Sequence, residues 1–170
     1  HTMLRVGDLD KSIDLKNKEM HKGVLEDYGV YALSFVTSFL KGFPEEIVFQ
    51  VCRSQDNVDT NWNVQMTNKG ITGVINLSSN ISTESKAIVV CENGSITWKT
   101  QFNRSDVIDI RNSSGKLIDS FFYPYTFEGF EYQVEEVANC IMNKTIESNM
   151  IPLNDSIVVA KLLRLLLKQS

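Results

Sequence analysis

Hydrophobic positions along this chain change their period twice. The longest amphipathic stretch runs from Gly23 to Gly42, GVLEDYGVYALSFVTSFLKG, with Val24, Leu25, Tyr28, Tyr31, Ala32, Phe35, Val36 and Phe39 at helical spacing. Gly42 suits the left-handed position after a helix and Pro44 forbids continuation, so the helix is expected to end around Lys41-Gly42. Before it, residues 1–22 are polar and lack a clear period, which reads as loop after a short strand near Arg5 to Ile13. From Glu46 to Phe122 the period becomes two. Ile47 to Cys52, Thr60 to Met66, Ile71 to Ser78, Lys86 to Cys91, Ser95 to Thr100, Val107 to Ile110 and Lys116 to Phe122 read as strands. They are joined by turns such as Asn68-Lys-Gly70 and Glu92-Asn-Gly94, and Asn-Gly between such runs is the strongest short hairpin signal.

Helical periodicity then returns. Phe127, Phe130, Val134, Val137, Ala138 and Ile141 form one apolar stripe with Glu128, Glu131, Glu135 and Glu136 flanking it. A last helix from Ile157 to Leu167 is expected, capped by Asn154 or Asp155 and ending in Lys168. Strands in one block and helices in another predict an α+β fold, a mainly antiparallel open sheet with helices packed on one face. The other face has to be half polar or to bury itself against a partner.

Composition narrows the function classes. At 170 residues the chain is expected to be a single domain over 4–170, with His1-Thr2-Met3 read as a tag remnant. The 42% apolar and 22% charged content is that of an ordinary globular protein with a real core. A net charge of −4 with dispersed basic residues argues against nucleic-acid binding. No apolar run reaches the length of a membrane span. Cys52, Cys91 and Cys140 are odd in number and far apart, which disfavours a disulfide framework and a zinc site, and predicts three buried thiols in a reducing, cytoplasmic setting. Seven N-x-S/T sequons, from Asn76 to Asn154, read as coincidence in an Asn- and Ser-rich chain.

Candidate chemistry is sparse. A G-x-G-x-x-G fingerprint, a Walker A loop, a G-x-S-x-G elbow and an H-E-x-x-H helix are all missing from these residues, and the only histidines are His1 and His21. What remains lies in the long helix. Asp27 and Tyr31 are four apart and so share a face. Gly29 stands between them, where alanine would favour a helix by about 0.8–1 kcal/mol. Tyr31 and Asp27 are the candidate catalytic residues, with Tyr28 and Gly29 expected against substrate. A phenol, ordinarily titrating near about pH 10, becomes a good acid–base group when a cation stabilises its phenolate. Asp27 alone would push the other way, so the pair needs a lysine or arginine from elsewhere. The alternative is a dipole-complementing acid beside a half-buried tyrosine.

The segment Gly23-Val-Leu-Glu-Asp-Tyr-Gly-Val-Tyr31 resembles the G-G-x-L-x-D-x-G-x-Y/H segment of the glucose–fructose oxidoreductase / inositol dehydrogenase (Gfo/Idh/MocA) family. Ser85 to Ile96 is similar to that family's hairpin, and Gly129 to Ile141, Glu147-Ser148 and Pro152 to Ser156 are similar to its closing helices. Lys22-Gly23 replaces the usual Gly-Gly, and Glu92-Asn-Gly94 departs from the usual Gly-Thr-x-Gly turn. Tyrosine at position 31 looks most like the dihydrodiol dehydrogenase and glucose–fructose oxidoreductase branches. The resemblance implies the C-terminal domain of an NAD- or NADP-dependent oxidoreductase, with a sheet similar to the C-terminal domain of glyceraldehyde-3-phosphate dehydrogenase. An N-terminal Rossmann domain, not in this chain, would bind the dinucleotide and supply a lysine from an E-K-P motif. The substrate would be a sugar, polyol or diol, with Tyr31 as general acid/base and Asp27 orienting substrate or lysine. The sheet face would form a homodimer. No cofactor and no metal are expected on this chain alone, nor any activity. The competing expectation is a non-catalytic binding or oligomerisation module of the same fold.

Overall fold

The computed structural model describes residues 2–7, 23–80, 84–99, 101–127 and 129–169. One eight-stranded sheet dominates it, in the order β2-β3-β4-β1-β5-β6-β7-β8. Its strands are β1 (Thr2–Gly7), β2 (Glu46–Arg53), β3 (Asp59–Asn68), β4 (Ile71–Ser78), β5 (Lys86–Cys91), β6 (Gly94–Trp98), β7 (Val107–Asn112) and β8 (Leu117–Phe122). Two antiparallel halves, β2–β4 and β5–β8, meet at β1, which pairs parallel with β4 and antiparallel with β5. The predicted strand near Arg5 therefore exists. It begins earlier, at Thr2, and takes the central place in the sheet; the expected continuation to Ile13 falls outside the described residues.

Each of the seven downstream strands appears within two residues of its predicted bounds, because alternation and turn residues agree locally. In β3, Trp62, Val64 and Met66 point to the core while Asn63 and Gln65 are exposed. Cross-strand register places Val48, Gln65 and Val74 together on the opposite face, and through β1 links them to Ile88. That face is mixed, with Val48 and Val90 exposed among asparagines and glutamines.

A π-helical turn, Leu25–Gly29, runs straight into α1 (Val30–Leu40). α1 packs on β4 and on α3 (Leu153–Gln169). Val24, Leu25, Ala32, Leu33, Val36 and Leu40 meet Trp62, Met66, Ile75 and Leu77 below, and Val158, Val159, Leu162 and Leu166 alongside. Burying each large side chain contributes about 1.5–3 kcal/mol. The close approach of helix to sheet depends on Gly73, where a Cβ would lie 2.2 Å from Val36 Cγ1. The helix ends as its sequence suggests, one residue earlier. Lys41, not Gly42, takes the left-handed cap at φ 56°, ψ 50°, and the buried Asn68 amide donates to the Leu40 carbonyl at 2.8 Å.

Two expectations about the C-terminal half change. α3 starts at Leu153 rather than Ile157, directly after Pro152, and neither Asn154 nor Asp155 is its cap. The Glu147 carboxylate accepts the Leu153 N–H at 2.7 Å instead. The predicted stripe helix is α2 (Phe130–Met142), but it buries none of its residues. Phe130, Val134, Val137 and Ile141 are between 59% and 71% exposed. The periodicity is real. The two helices α1 and α3 already cover the core, so α2's apolar face finds no partner among the described residues. The cysteines also differ from expectation, since Cys52 and Cys91 are exposed and Cys140 is half-buried. Cys52 is on the mixed face of an edge strand, where alternation turns it away from the core.

Candidate functional site

The first turn of the long helix is built from outside. Val24, at its N-cap, offers no side-chain acceptor. The buried carboxylate of Asp59 accepts the Leu25 N–H at 2.9 Å and the Trp62 indole N–H at 2.7 Å. On the outer side of this turn Asp27 is exposed and Tyr31 is 48% exposed. Both border one open hollow, together with Tyr28. Tyr28 also packs partly against the core. Gly29 is buried, and a Cβ there would lie 2.7 Å from Leu25 Cδ1 and 3.4 Å from Leu77 Cδ1. Its absent side chain thus serves close packing of the π turn on the sheet. Aromatic packing steadies α1 beside the hollow, with the Phe35 ring edge-on to Trp98 and Phe102 at centroid distances of 5.1 and 5.7 Å.

The tertiary fold brings to this hollow cations that sequence spacing did not associate with Tyr31. Lys86, Lys99, Arg104 and Arg111 all border it. Each already has an acceptor. Lys86 lies 3.5 Å from Glu84, and Arg104 donates to Gln101 Oε1 at 2.7 Å. Lys99 Nζ sits 2.8 Å from Asp109, and Arg111 lies 3.6 Å from the same oxygen. Lys86 on β5, Lys99 just after β6, Arg104 in the loop before β7 and Arg111 on β7 lie far from the helix in sequence. Only the sheet order could have revealed the grouping. Tyr123, Tyr125 and the first turn of α2, including Tyr132, also line the hollow.

Asp109 is buried, 1% exposed. Hydrogen bonds from the Lys99 ammonium and then from the Ser120 hydroxyl, at 2.8 Å, hold its carboxyl below the ordinary value of 3.8; burial opposes them, and the charges of Lys99 and Arg111 add to them. A depressed folded-state value means the carboxylate stabilises the fold above the unfolded value and ceases to do so as pH falls through the folded one. We therefore expect the unfolding free energy, measured by urea titration, to fall on acidification below pH 3.8. Asp109→Asn should flatten that part of the profile. An unchanged slope in the variant would count against this role. At the start of α2, burial pushes the Glu131 carboxyl up, but backbone N–H groups outweigh it and leave it lowered; those of Thr126 and Phe127 donate at 2.6 and 3.1 Å.

Among the described residues no group of three or more His, Cys, Asp or Glu side chains could hold a metal ion, and no helix is long and apolar enough to cross a membrane. His1 and His21 lie outside the described residues.

The fold is that of a one-sided α+β sheet domain with an acid and a phenol at the rim of its helical layer. The chain belongs to the Gfo/Idh/MocA family, whose C-terminal domain model matches residues 5–97, more than half of it. No curated protein matches it. Solved structures with the same fold include KijD10, a 3-ketoreductase from Actinomadura kijaniata in complex with TDP-benzene and NADP. It is 17% identical with a TM-score of 0.71, and 96% of this chain covers 49% of that one. A dehydrogenase (MviM) from Clostridium difficile is 12% identical with a TM-score of 0.74, and the match covers 99% and 53% of the two chains. An aldose-aldose oxidoreductase from Caulobacter crescentus, complexed with glycerol, is 16% identical with a TM-score of 0.70, covering 96% and 51%. The chain spans about half the length of these structures.

Proposed function

We propose that this chain is the substrate-binding and dimerisation domain of an NAD(P)-dependent oxidoreductase acting on the hydroxyl or carbonyl of a sugar, polyol or diol. The observation that carries the reading is the half-exposed phenol of Tyr31, with Asp27 beside it, on a helix packed rigidly against the sheet and opening on a hollow. The names of the structural neighbours, a ketoreductase bound to NADP and an aldose oxidoreductase, support the substrate and cofactor class. When bound, the nicotinamide accepts or donates the hydride. Tyr31 as phenolate takes the proton from the substrate hydroxyl during oxidation and returns it during reduction. Asp27 orients the hydroxyl or the cation that stabilises the phenolate, and Tyr28 contacts the substrate. The lysines and arginines of this chain at the hollow have acceptors of their own, which supports a cation from a dinucleotide-binding domain. The uncovered apolar face of α2 likewise supports a further body of protein packing here. Homodimer formation through the mixed sheet face, with Val48 and Val90 exposed on it, belongs to the same reading.

Two solution measurements check it. Calorimetry of the 170-residue chain with NADP should give no binding heat, and sedimentation at micromolar concentration should give a dimer. Tight NADP binding, or a monomer only, would sink the corresponding part. The competing reading is a non-catalytic module of the same fold. It is separated from the enzyme by the Tyr31→Phe experiment on the full-length protein, assayed with NADP and a panel of glucose, myo-inositol and 1,2-cyclohexanediol.

A further inference from the structure

We propose that Asp59 is a positioning residue that sets the aim of Asp27 relative to Tyr31, an inference that rests on the acid–base reading of Tyr31. Asp59 is the first residue of β3, and it is buried at 7% exposure. Its Oδ2 accepts two hydrogen bonds, from the Leu25 amide at 2.9 Å and from Trp62 Nε1 at 2.7 Å. Trp62 is fully buried, its ring tilted against Phe49 at a centroid distance of 5.5 Å, so the indole holds the carboxylate from the rigid side, the sheet. The carboxylate in turn holds the first amide of the π turn. That amide is one of the donors a helix start leaves unpaired, and no local side chain caps it. Charge-assisted bonds of this kind are about twice as strong as neutral ones.

The geometry of the turn makes this contact matter for direction as well as for stability. A π turn holds one more residue than an α turn, and each residue advances a helix by about 100°. If Leu25 were released and the turn relaxed to α, residues before the π turn would rotate by about one residue step relative to α1, and those within it by part of that step. Asp27 and Tyr31, four apart, would still share a face, but the carboxylate would turn and shift relative to the phenol. Gly23 is part of the same device. A Cβ on it would lie 1.5 Å from Asp59 Oδ1, so only glycine lets the carboxylate reach the amide.

The test compares Asp59→Ala and Asp59→Asn in the full-length enzyme with NADP and the best substrate of the panel. Asparagine can present its carbonyl oxygen where Oδ2 stands. The expected result is a kcat lower by about 100-fold in Asp59→Ala with KM for NADP unchanged, the scale of an ångström-level misplacement. Asp59→Asn should restore most of it. Amide exchange should rise over Leu25 to Tyr31 in the alanine variant and stay unchanged beyond Ser34. If Asp59→Ala does not fold, Trp62→Phe takes its place, keeping an aromatic ring and removing the indole donor, with the same direction expected. A folded Asp59→Ala or Trp62→Phe with wild-type kcat overturns the inference, as does an asparagine variant no better than alanine. Failure of the underlying reading looks different. There, Tyr31→Phe itself keeps full turnover.

Discussion

Tyr31→Phe in the full-length enzyme is expected to lower kcat by roughly 10²–10⁴-fold, the contribution typical of general acid–base catalysis. The substitution removes one oxygen and leaves the ring. Tyr31 is half-exposed at the hollow and is not part of the buried cluster, so the fold should be indifferent. Loss of activity with an unchanged melting temperature would therefore report on the proton. KM for NADP should stay constant, because the phenol is assigned to the substrate hydroxyl and not to the dinucleotide. Unchanged turnover would favour the non-catalytic module, since the same tyrosine would then be only a surface residue on a well-packed helix.

The second large effect concerns the bed on which that helix lies. Gly73→Ala is expected to destabilise the domain by about 1–3 kcal/mol, the usual penalty of overpacking. The added methyl would stand 2.2 Å from Val36 Cγ1, well inside contact distance, and Val36 is itself fully buried on α1. Neither β4 nor α1 can give way easily. β4 is bonded to β3 and β1 on its two sides, and α1 is wedged against α3. Val36→Ala alone should also destabilise, by opening a cavity. Together the two changes should be less harmful than their sum, because the methyl introduced at position 73 occupies the space vacated at position 36. Urea unfolding of the four proteins gives the coupling energy. Strict additivity would show that the close approach at Gly73 is not what limits packing there.

Local pattern carried much of this protein. Strict alternation in β3, the Asn-Gly turn before β6 and the period of residues 24–40 are decided by neighbours in sequence. Those elements form close to where periodicity put them. The family segment around Asp27 and Tyr31 was legible for the same reason, since residues four apart on a helix share a face whatever the rest of the chain does.

Tertiary structure decided the remainder. That β1 is central, parallel to β4 and antiparallel to β5, depends on pairing across more than 60 residues, which no local signal encodes. Gly29 looked like a concession to a ligand and turned out to be buried against Leu25 and Leu77, because only the fold shows which side of the helix meets the sheet. α2 has an apolar stripe as clear as that of α1, yet only α1 found a surface to bury it on. Asp59 carried no sequence signal at all, being one more acid before a strand. Its role arises from a carboxylate brought to a helix start 34 residues away. Periodicity determines which face of an element is apolar. What that face meets, and which buried charge steadies it, depends on the order in which the sheet is assembled.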